Sequence, residues 1–233
     1  MSSTTAQALS QSAAFRSLDE AELDRLSSAC GERTYGPGEI VFLRGDNGDC
    51  MYVVVSGTVA VSLSSVGGRD VLLAVLGPHQ FFGELALVDE GPRVATVTAR
   101  TRTVLVVVPR AAVSGLMARH PSVMRAFLVS MAALVRRLDE QACDAALLDL
   151  PRRVEKRLAA LAASHGDLGS PADGFVPVDD VMTQGDLARQ VGGSRQQVNR
   201  VLMALEAAGS IERRGHRIVG IRPERLYSDD SPL

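Results

Sequence analysis

Two stretches of this 233-residue chain carry side chains whose types and spacing could do chemistry. The first runs from Phe82 to Val97. Gly83 would let the backbone approach a ligand closely, Glu84 is an acceptor suited to a hydroxyl group, and Arg93 offers a forked donor to a phosphate. The peptide N–H groups from Gly83 to Leu85 could form an anion-binding turn. A glutamate and an arginine nine residues apart are also common as a surface ion pair, so the spacing alone leaves both interpretations open.

The second stretch begins at Thr183, a side chain suited to cap the N-terminus of a helix. We predict a helix over Gln184–Gln190, a tight turn at Val191-Gly192-Gly193, where glycine tolerates a positive φ, and a second helix over Arg195–Ala208. Ser194 is suited to cap the second helix. Two helices joined by a short glycine turn are typical of a helix-turn-helix unit.

The exposed face of the second helix is rich in side chains that can read base edges in the major groove of DNA. Arginine pairs with guanine through two hydrogen bonds, and glutamine or asparagine pairs in the same way with adenine. The first turn of such a helix normally meets the bases. With the cap residue included, the predicted DNA-contacting residues of this helix are Ser194, Arg195, Gln196, Gln197, Asn199 and Arg200.

A hairpin is predicted after the second helix, with strands at Ser210–Arg213 and Arg217–Ile221 around the turn Arg214-Gly215-His216. It would form the wing of a winged helix. His216 at its tip is expected to contact a phosphate or solvent rather than a metal ion, because no second ligand lies nearby in the sequence. From Arg195 to Arg225 there are seven arginines and three glutamates, a local charge of +4 in a chain whose formal charge is −2. This basic footprint favours nucleic acid as the partner.

The composition is that of an ordinary folded chain, with 46% apolar and 22% charged residues. It excludes a disordered, collagen-like or disulfide-framework protein, and the length favours two domains. No apolar run approaches the roughly 20 residues needed to span a bilayer, so no membrane partner is expected. The polar start of the chain is not typical of a secretory signal. The three cysteines form no CxxC pair, which predicts reduced, buried thiols and a cytoplasmic location.

Short apolar runs separated by glycine turns follow one another from Gly31 to Pro109. Strands of about five residues with a turn every 8–12 residues predict a barrel or a sandwich. Before them, Ser17–Ala29 is predicted to be a short helix that Ser17 caps, with Glu20 completing a capping box. The predicted strands are Ile40–Leu43, Met51–Val55, Thr58–Leu63, Val71–Leu76 and Val104–Val108.

A long helix is predicted from about Pro121 to Leu148. From Met124 to Leu138 its apolar residues follow alternating steps of three and four, the a/d pattern of a coiled coil. This seam predicts a two-fold dimer interface; the alternative is an amphipathic helix that packs on its own domain. Pro151 then marks a hinge before a helix over Arg152–Ser164. The predicted interface residues are Phe127, Met131, Leu134 and Leu138.

The stretch Phe82–Val97 resembles the phosphate-binding cassette of cyclic-nucleotide-binding domains, with its FGEL(A/G)L…R(A/S)A pattern. The turns at Gly36, Gly45 and Gly57 are similar to those of the same β-roll. Together with the long helix and the winged helix, essentially all of Phe15 to Arg225 resembles the catabolite activator/fumarate-nitrate regulator (Crp/Fnr) family of bacterial transcription factors.

The resemblance implies a ligand pocket in which Glu84 binds a ribose 2′-hydroxyl and Arg93 binds a cyclic phosphate. Val94 stands where the bacterial cyclic AMP receptors usually carry serine. Leu138 and Asp139 fall where the cyclic AMP receptor carries a Thr-Ser pair that contacts adenine, so base recognition is expected to differ; Asp139 could accept a hydrogen bond from an exocyclic amine. The implied ligand residues are Gly83, Glu84, Leu85, Arg93, Val94, Leu138 and Asp139.

Two other ligand types known in this family find no support in the residues. An iron–sulfur cluster needs four thiolates, and only Cys30 lies near the N-terminal region where such a cluster would be held. The four histidines show no pattern that suits haem. In the DNA-reading helix Gln196 replaces the family's usual glutamate, and because glutamine prefers adenine, the half-site is expected to differ at that base pair.

The sequence therefore predicts an α+β protein with a jelly-roll-like β-roll over residues 12–120, a dimerisation helix over 121–149 and a winged helix-turn-helix over 150–233. The expected function is that of a homodimeric transcription regulator on palindromic double-stranded DNA, with RNA polymerase as a further partner. A cyclic nucleotide is the expected effector, with cyclic AMP as first candidate. The alternative is a constitutive regulator with a vestigial pocket, or a pocket for cyclic GMP or a cyclic dinucleotide. With no nucleophile–base pair, metal cluster or P-loop in the sequence, we expect no enzymatic activity, no metal and no required cofactor.

Overall fold

The computed structural model describes residues 3–64, 70–165, 174–178, 183–215 and 217–226. The chain forms two compact units, unit 1 over Met1–Arg136 and unit 2 over Arg137–Leu233. The α+β class is confirmed, since both units combine helices with antiparallel sheets. The division between the units falls inside the long helix, and the predicted three-part division at residues 120 and 149 stays a prediction.

Unit 1 begins with a helix that has no counterpart among the predicted elements, α1 over Ser3–Gln11. Its apolar residues belong to the main core of the unit, where Leu9 is fully buried together with Phe15 from the turn that follows. A short polar segment with two or three apolar residues gives little periodic signal, so only its packing against the unit reveals it as part of the fold.

The second helix, α2 over Glu20–Ala29, is shorter than predicted and has a different cap. Asp19 Oδ1 accepts a hydrogen bond from the Glu22 N–H at 2.8 Å, so Asp19 and not Ser17 is the N-cap. Serine and aspartate are both good N-caps, and each here has a glutamate three residues later. Leu26 of this helix is buried.

The strands of unit 1 form two antiparallel sheets, in the orders β1-β8-β3-β6 and β2-β7-β4-β5. Residues from both sheets, including Tyr52, Phe82 and Val97, share one core cluster, so the β-roll prediction is confirmed. The edge strand β1 was not among the strands named from the sequence, because most of its residues are exposed and polar and so form no apolar run. The strands are β1 (Gly31–Tyr35), β2 (Ile40–Phe42), β3 (Cys50–Ser56), β4 (Val59–Ser64), β5 (Asp70–Leu76), β6 (Phe81–Phe82), β7 (Thr96–Ala99) and β8 (Thr103–Pro109).

Three helices complete the order of elements along the β-roll: α3 over Leu85–Val88, α4 over Arg110–Arg119 and α5 over Pro121–Leu147. Helix α5 is the predicted long helix, and its bounds agree with the prediction to within a residue. Phe127 is 1% exposed and its ring centroid lies 5.4 Å from that of Phe81. The prediction that Phe127 lies in a dimer seam is therefore wrong, because this side chain fills the core of its own β-roll.

Unit 2 contains the predicted winged helix-turn-helix. Its helices are α6 (Leu150–His165), α7 (Gln184–Val191) and α8 (Arg195–Ala207), and its strands are β9 (Val176–Pro177), β10 (Ile211–Arg214) and β11 (Arg217–Ile221). The three strands form one antiparallel sheet in the order β10-β11-β9. Apolar side chains of the three helices and of β11 meet in a single core. Its fully buried side chains are Val154, Leu158, Leu187, Val198, Leu202 and Ile221.

The three cysteines lie in different surroundings, and none is in a disulfide. Cys30 is packed against the core of unit 1, and burial raises the pKa of its thiol to about 12, as expected for a small buried side chain. Cys143 is exposed on α5, so the prediction of burial is wrong for it. In the part of the chain that the structure describes, no helix is long and apolar enough to cross a membrane.

Candidate functional site

The cassette Phe82–Val97 places a buried cation inside the β-roll. This cation is Arg93, which lies after α3 in the sequence and is only 4% exposed. Its Nη1 donates to the carbonyl oxygen of Gly83 at 2.7 Å, and its Nη2 donates to the carbonyl oxygen of Cys50 at 2.8 Å. The guanidinium carbon lies 4.3 Å from the centroid of the Phe42 ring, which gives a cation–π contact.

Two glycines make room for this guanidinium. Gly83 has a φ of +82°, and a Cβ atom there would lie 2.7 Å from Arg93 Nη1. A Cβ atom at Gly48 would lie 2.3 Å from the Cβ of Ala86 and 3.3 Å from the guanidinium carbon. Both positions therefore require glycine if Arg93 is to keep its place. The close approach of the Gly83 backbone to a ligand stays a prediction.

The guanidinium retains an unused donor. Arg93 Nε is buried and has no acceptor among the residues that the structure describes. The two oxygen acceptors of the side chain are neutral carbonyl groups, and Nη2 also lies 3.5 Å from the sulfur of Cys50. A buried charge whose oxygen hydrogen-bond partners are all neutral is costly. This arrangement is chemically suited to an anion that brings a negative charge into direct contact and supplies the missing acceptor.

The other cassette residues predicted for the ligand lie near this cation. Glu84 directly precedes α3, and its half-buried carboxyl has a raised pKa because burial disfavours the charged form, while Arg93 acts in the opposite direction. Leu85 is the first residue of α3 and is half-buried. Val94 is 51% exposed and brings no hydroxyl group to the site.

The two predicted base contacts belong to the other unit. Leu138 is 42% exposed and Asp139 is exposed, both on the part of α5 that lies in unit 2. Their role toward a ligand in the β-roll stays a prediction.

Arg110, a residue that the sequence analysis did not single out, hydrogen-bonds to three backbone carbonyl groups in and near the cassette. Its Nη2 donates to the carbonyl oxygens of Gly48 and of Ala86, the latter at 2.9 Å, and its Nη1 donates to that of Leu87 at 3.3 Å. Because Arg110 is the first residue of α4, it ties the turn before β3 and helix α3 to α4. Its partners lie 23 to 62 residues away in sequence, so no local pattern could have revealed it.

In unit 2 the local chemistry of the helix-turn-helix is as predicted. Thr183 Oγ1 accepts from the Asp186 N–H at 3.1 Å and the Asp186 carboxylate accepts from the Thr183 N–H at 3.0 Å, a complete capping box. Gly192 ends α7 with a φ of +70°. A Cβ atom at Gly193 would lie 2.8 Å from a methyl group of Leu150, so the turn packs closely on α6.

The predicted DNA-reading residues divide into two groups. Arg195, Gln196 and Arg200 are exposed on α8. Ser194 caps α8, and Gln197 takes part in the same cap, because its Oε1 accepts from the Ser194 N–H at 3.0 Å. Gln197 thus has a local structural role that the prediction did not assign to it.

Asn199 is half-buried and already bonded within the unit. Its Oδ1 accepts a hydrogen bond at 3.2 Å from Nη1 of Arg213, on strand β10 of the wing. The wing itself is confirmed: Arg213 pairs with Ile218 and Arg214 with Arg217 across the hairpin, and β9 adds a third strand that was not predicted. His216 lies outside the described residues, so the contact predicted for it stays a prediction.

Two family models match this chain. A cyclic nucleotide-binding domain matches residues 32–120, and a Crp-like helix-turn-helix domain matches residues 145–228. The CRP-like cAMP-activated global transcriptional regulator of Mycobacterium tuberculosis is 30% identical over 94% of this chain and 96% of its own length. The cyclic AMP receptor protein of Thermus thermophilus is 33% identical over 92% and 94%.

Solved structures show the same fold. The c-di-GMP responsive global regulator CLP of Xanthomonas campestris matches with a TM-score of 0.74 at 24% identity, covering 87% of this chain and 99% of that one. The catabolite activator protein of Thermus thermophilus matches with a TM-score of 0.50 at 30% identity, covering 91% and 95%. With a cyclic nucleotide-binding β-roll, a long helix and a Crp-like helix-turn-helix in one chain, the protein belongs to the Crp/Fnr family of transcription regulators.

Proposed function

We propose that this DNA-binding regulator takes up a cyclic nucleotide in its β-roll and that the bound nucleotide controls its affinity for a palindromic operator. The observation that carries the proposal is Arg93: a guanidinium that is 4% exposed, is held by two neutral carbonyl groups and keeps a buried Nε without an acceptor among the described residues. The protein would act in the cytoplasm, on transcription by RNA polymerase.

In this proposal the cyclic phosphate docks on Arg93 and the ribose on Glu84. The phosphate brings a negative charge into direct contact with the guanidinium, and its oxygens can accept from Nε and from the Nη groups together. The Glu84 carboxylate, next in sequence to Gly83, accepts a hydrogen bond from a ribose hydroxyl. Cyclic AMP is the first candidate because the Mycobacterium tuberculosis relative is described as cAMP-activated.

A specific observation favours a second candidate function, a constitutive regulator or one with a different cyclic nucleotide. Val94 is 51% exposed and has no hydroxyl group with which to bind a phosphate. Leu138 and Asp139 place an alkyl group and a carboxylate where the resemblance implies two hydroxyl groups for adenine. Cyclic GMP and cyclic dinucleotides are therefore the further ligands to test.

We further propose that the protein is a dimer formed along α5. Once Phe127 is assigned to the core, a different apolar stripe remains on the outside of this helix. Its large exposed members are Met124, Leu128, Val135 and Leu138, and half-buried Met131 lies on the same line. The steps of four and three residues between them are those of a coiled-coil seam. Met131 and Leu138 are retained from the predicted interface, and half-buried Leu134 lies at the border between this stripe and the core.

The test is titration of cyclic nucleotides into the purified protein. We expect wild-type protein to bind cyclic AMP by calorimetry and to gain thermal stability, because a ligand adds RT ln(1 + [L]/Kd) to the free energy of unfolding. Arg93→Ala should abolish both signals, and Arg93→Lys, which keeps the charge but loses the fork, should weaken binding at least tenfold. Arg44→Ala, which removes an exposed arginine of the same unit, is the matched control and should bind as wild type does.

Two outcomes would contradict the proposal. If no cyclic mononucleotide or dinucleotide gives heat or a stability change at millimolar concentration, the pocket is vestigial and the constitutive alternative holds. If Arg93→Ala binds cyclic AMP as well as Arg44→Ala does, the phosphate does not dock on Arg93. Thermal unfolding of each apo variant shows whether it is folded before its binding is interpreted.

A further inference from the structure

The recognition helix and the wing are joined by a small ionic network. Arg213 of β10 donates from Nε to the carboxylate of Glu206 at 2.8 Å and from Nη2 to the same carboxylate oxygen. From Nη1 it donates to Oδ1 of Asn199 at 3.2 Å. Asn199 and Glu206 lie seven residues apart on α8, two turns along one face of the helix, so a single guanidinium spans that face.

The charge of Arg213 is satisfied within the unit. Its side chain is 12% exposed and that of Glu206 is 40% exposed. A charge-assisted pair of this kind costs energy to break once one partner is largely buried. Arg213 is therefore not available as a phosphate contact, although it is one of the seven arginines that make the sequence of this region basic.

The same network determines which way the Asn199 amide points. A guanidinium has five N–H donors and no acceptor, so only the oxygen of the carboxamide can face it. The Nδ2 group then points away from Arg213, with Met203 Sδ, a weak acceptor, as its nearest described partner at 3.9 Å. Asn199 thus presents N–H donors, while its oxygen is engaged by a cation.

This orientation changes the base that suits Asn199. Bidentate reading of adenine needs the amide oxygen to accept from N6 while the amide nitrogen donates to N7. Because Oδ1 already accepts from the charged Nη1 of Arg213, the N6 group of adenine would have to share this oxygen with a cation. Guanine offers two acceptors, N7 and O6, on its major-groove edge, and either can accept from an N–H of Nδ2. Adenine offers N7 alone, because its N6 group is a donor.

We propose that Arg213 is a positioning residue of the DNA interface: through its bond to Asn199 Oδ1 it makes Asn199 a donor that selects guanine instead of adenine. The inference goes beyond the effector proposed above, since it concerns the operator sequence and not the pocket. It differs from the expectation that asparagine pairs with adenine through two hydrogen bonds.

The test is selection of binding sites from a pool of double-stranded DNA with a randomised half-site, using full-length protein. Asn199→Ala locates the base pair that Asn199 contacts, as the position at which preference is lost. Arg213→Met keeps the aliphatic stem but frees the amide, so we expect the ratio of guanine to adenine at that position to fall about tenfold, the effect of one good base contact. The double variant should show the same base preference at that position as Asn199→Ala, because the proposed effect of Arg213 on this preference requires Asn199.

Salt titration separates positioning from phosphate binding. Each phosphate contact contributes about 0.9 to the slope of log K against log salt concentration. We expect Arg213→Met to keep the wild-type slope while base preference changes. A slope reduced by about 0.9 with unchanged base preference would overturn the proposal. Arg214→Met, which removes the exposed neighbour on the same strand, is the control and should leave the preference at the Asn199 position unchanged.

A second variant keeps the proposal testable if Arg213→Met does not fold. Asn199→Asp retains an acceptor for Arg213 but has no N–H donor, so it should lose the guanine preference at least tenfold. If Asn199→Asp selects the same bases as wild type, the proposal is overturned. All selections are made with saturating cyclic AMP and repeated without nucleotide, so a failure of the proposed effector does not alter the comparison between variants.

Discussion

Glu84 shows how one residue can link the pocket to pH. Its folded-state pKa is raised above the ordinary value of 4.5, mainly because burial disfavours the carboxylate. The folded protein therefore holds this proton more tightly than the unfolded chain does. Between the ordinary and the raised pKa the folded state binds more protons, and its stability falls as the pH rises through that window. Ribose binding favours the ionised form, so nucleotide affinity should change with pH in the opposite direction.

We expect Glu84→Gln to remove both dependences. Across the window that begins at pH 4.5, apo wild type should lose unfolding free energy relative to the variant, as measured by urea unfolding at a series of pH values. The variant should also bind cyclic nucleotide roughly tenfold more weakly at neutral pH, because a hydrogen bond to a charged acceptor is lost. Parallel stability curves for the two proteins would show that Glu84 does not titrate in this range.

At this scale, local chemistry was predictable from the sequence and long-range chemistry was not. The caps at Thr183 and Ser194 depend on partners three residues away, and both were identified correctly. Arg93 was identified by its spacing and by resemblance, but its bond to Cys50 spans 43 residues and depends on the folded β-roll. Arg213 was counted as one more basic residue, because only the hairpin brings it to Asn199.

Helix α5 is an element on which two apolar stripes overlap. One stripe, with Val123 and Phe127, is buried in the core of unit 1, and the other, with Leu128 and Val135, is exposed. From Met124, a step of three leads to Phe127 and a step of four leads to Leu128, and both continue as alternating steps of three and four. The sequence is therefore compatible with two different coiled-coil seams on this helix. The choice between them depends on what the β-roll covers, and this is why the helix was predicted correctly while Phe127 was assigned to the wrong stripe.

The two stripes should respond differently to substitution. Val135→Asp introduces a charge on the exposed stripe, so it should convert the dimer to monomers at micromolar concentration, as measured by analytical ultracentrifugation. Operator affinity should fall with it, since two half-sites need a two-fold protein. Phe127→Ala should instead lower the free energy of unfolding by about 3–5 kcal/mol, because it leaves a cavity in the core.

Ala133→Asp is the control for this pair of variants, because Ala133 is exposed on the side of α5 opposite the stripe. It should remain dimeric and bind the operator as wild type does. If Val135→Asp and Ala133→Asp sediment alike as dimers, the interface lies elsewhere.

At the scale of the whole molecule, the proposed function requires that the affinity for the effector and the affinity for the operator are coupled. If the effector and the operator both favour one state of the dimer, each must raise the affinity for the other by the same factor. We expect a factor of about 5–150, the usual range for such coupling. It can be measured as operator affinity with and without cyclic AMP by fluorescence anisotropy, and as cyclic AMP affinity with and without operator by calorimetry.

Arg93→Ala should reduce this factor to one without changing operator affinity in the absence of nucleotide. Because equal factors are a thermodynamic necessity at equilibrium, unequal factors in the two directions would show that one of the two titrations had not reached equilibrium. A factor of one in the wild type, with cyclic AMP bound, would identify a ligand that binds the two states equally and therefore shifts nothing.

The two faces of α5 also have a consequence for how such regulators diverge. Phe127 is constrained by packing in the core of the β-roll. Leu128 and Val135 are exposed, so only a partner that packs against the outside of the helix would constrain them. Substitutions on the outer stripe can therefore accumulate after a gene duplication without disturbing the fold of either copy. If the outer stripe forms the dimer interface proposed above, two descendants of one ancestor would lose the ability to pair with each other while each still pairs with itself. A genome would then keep many such regulators side by side without mixed subunits.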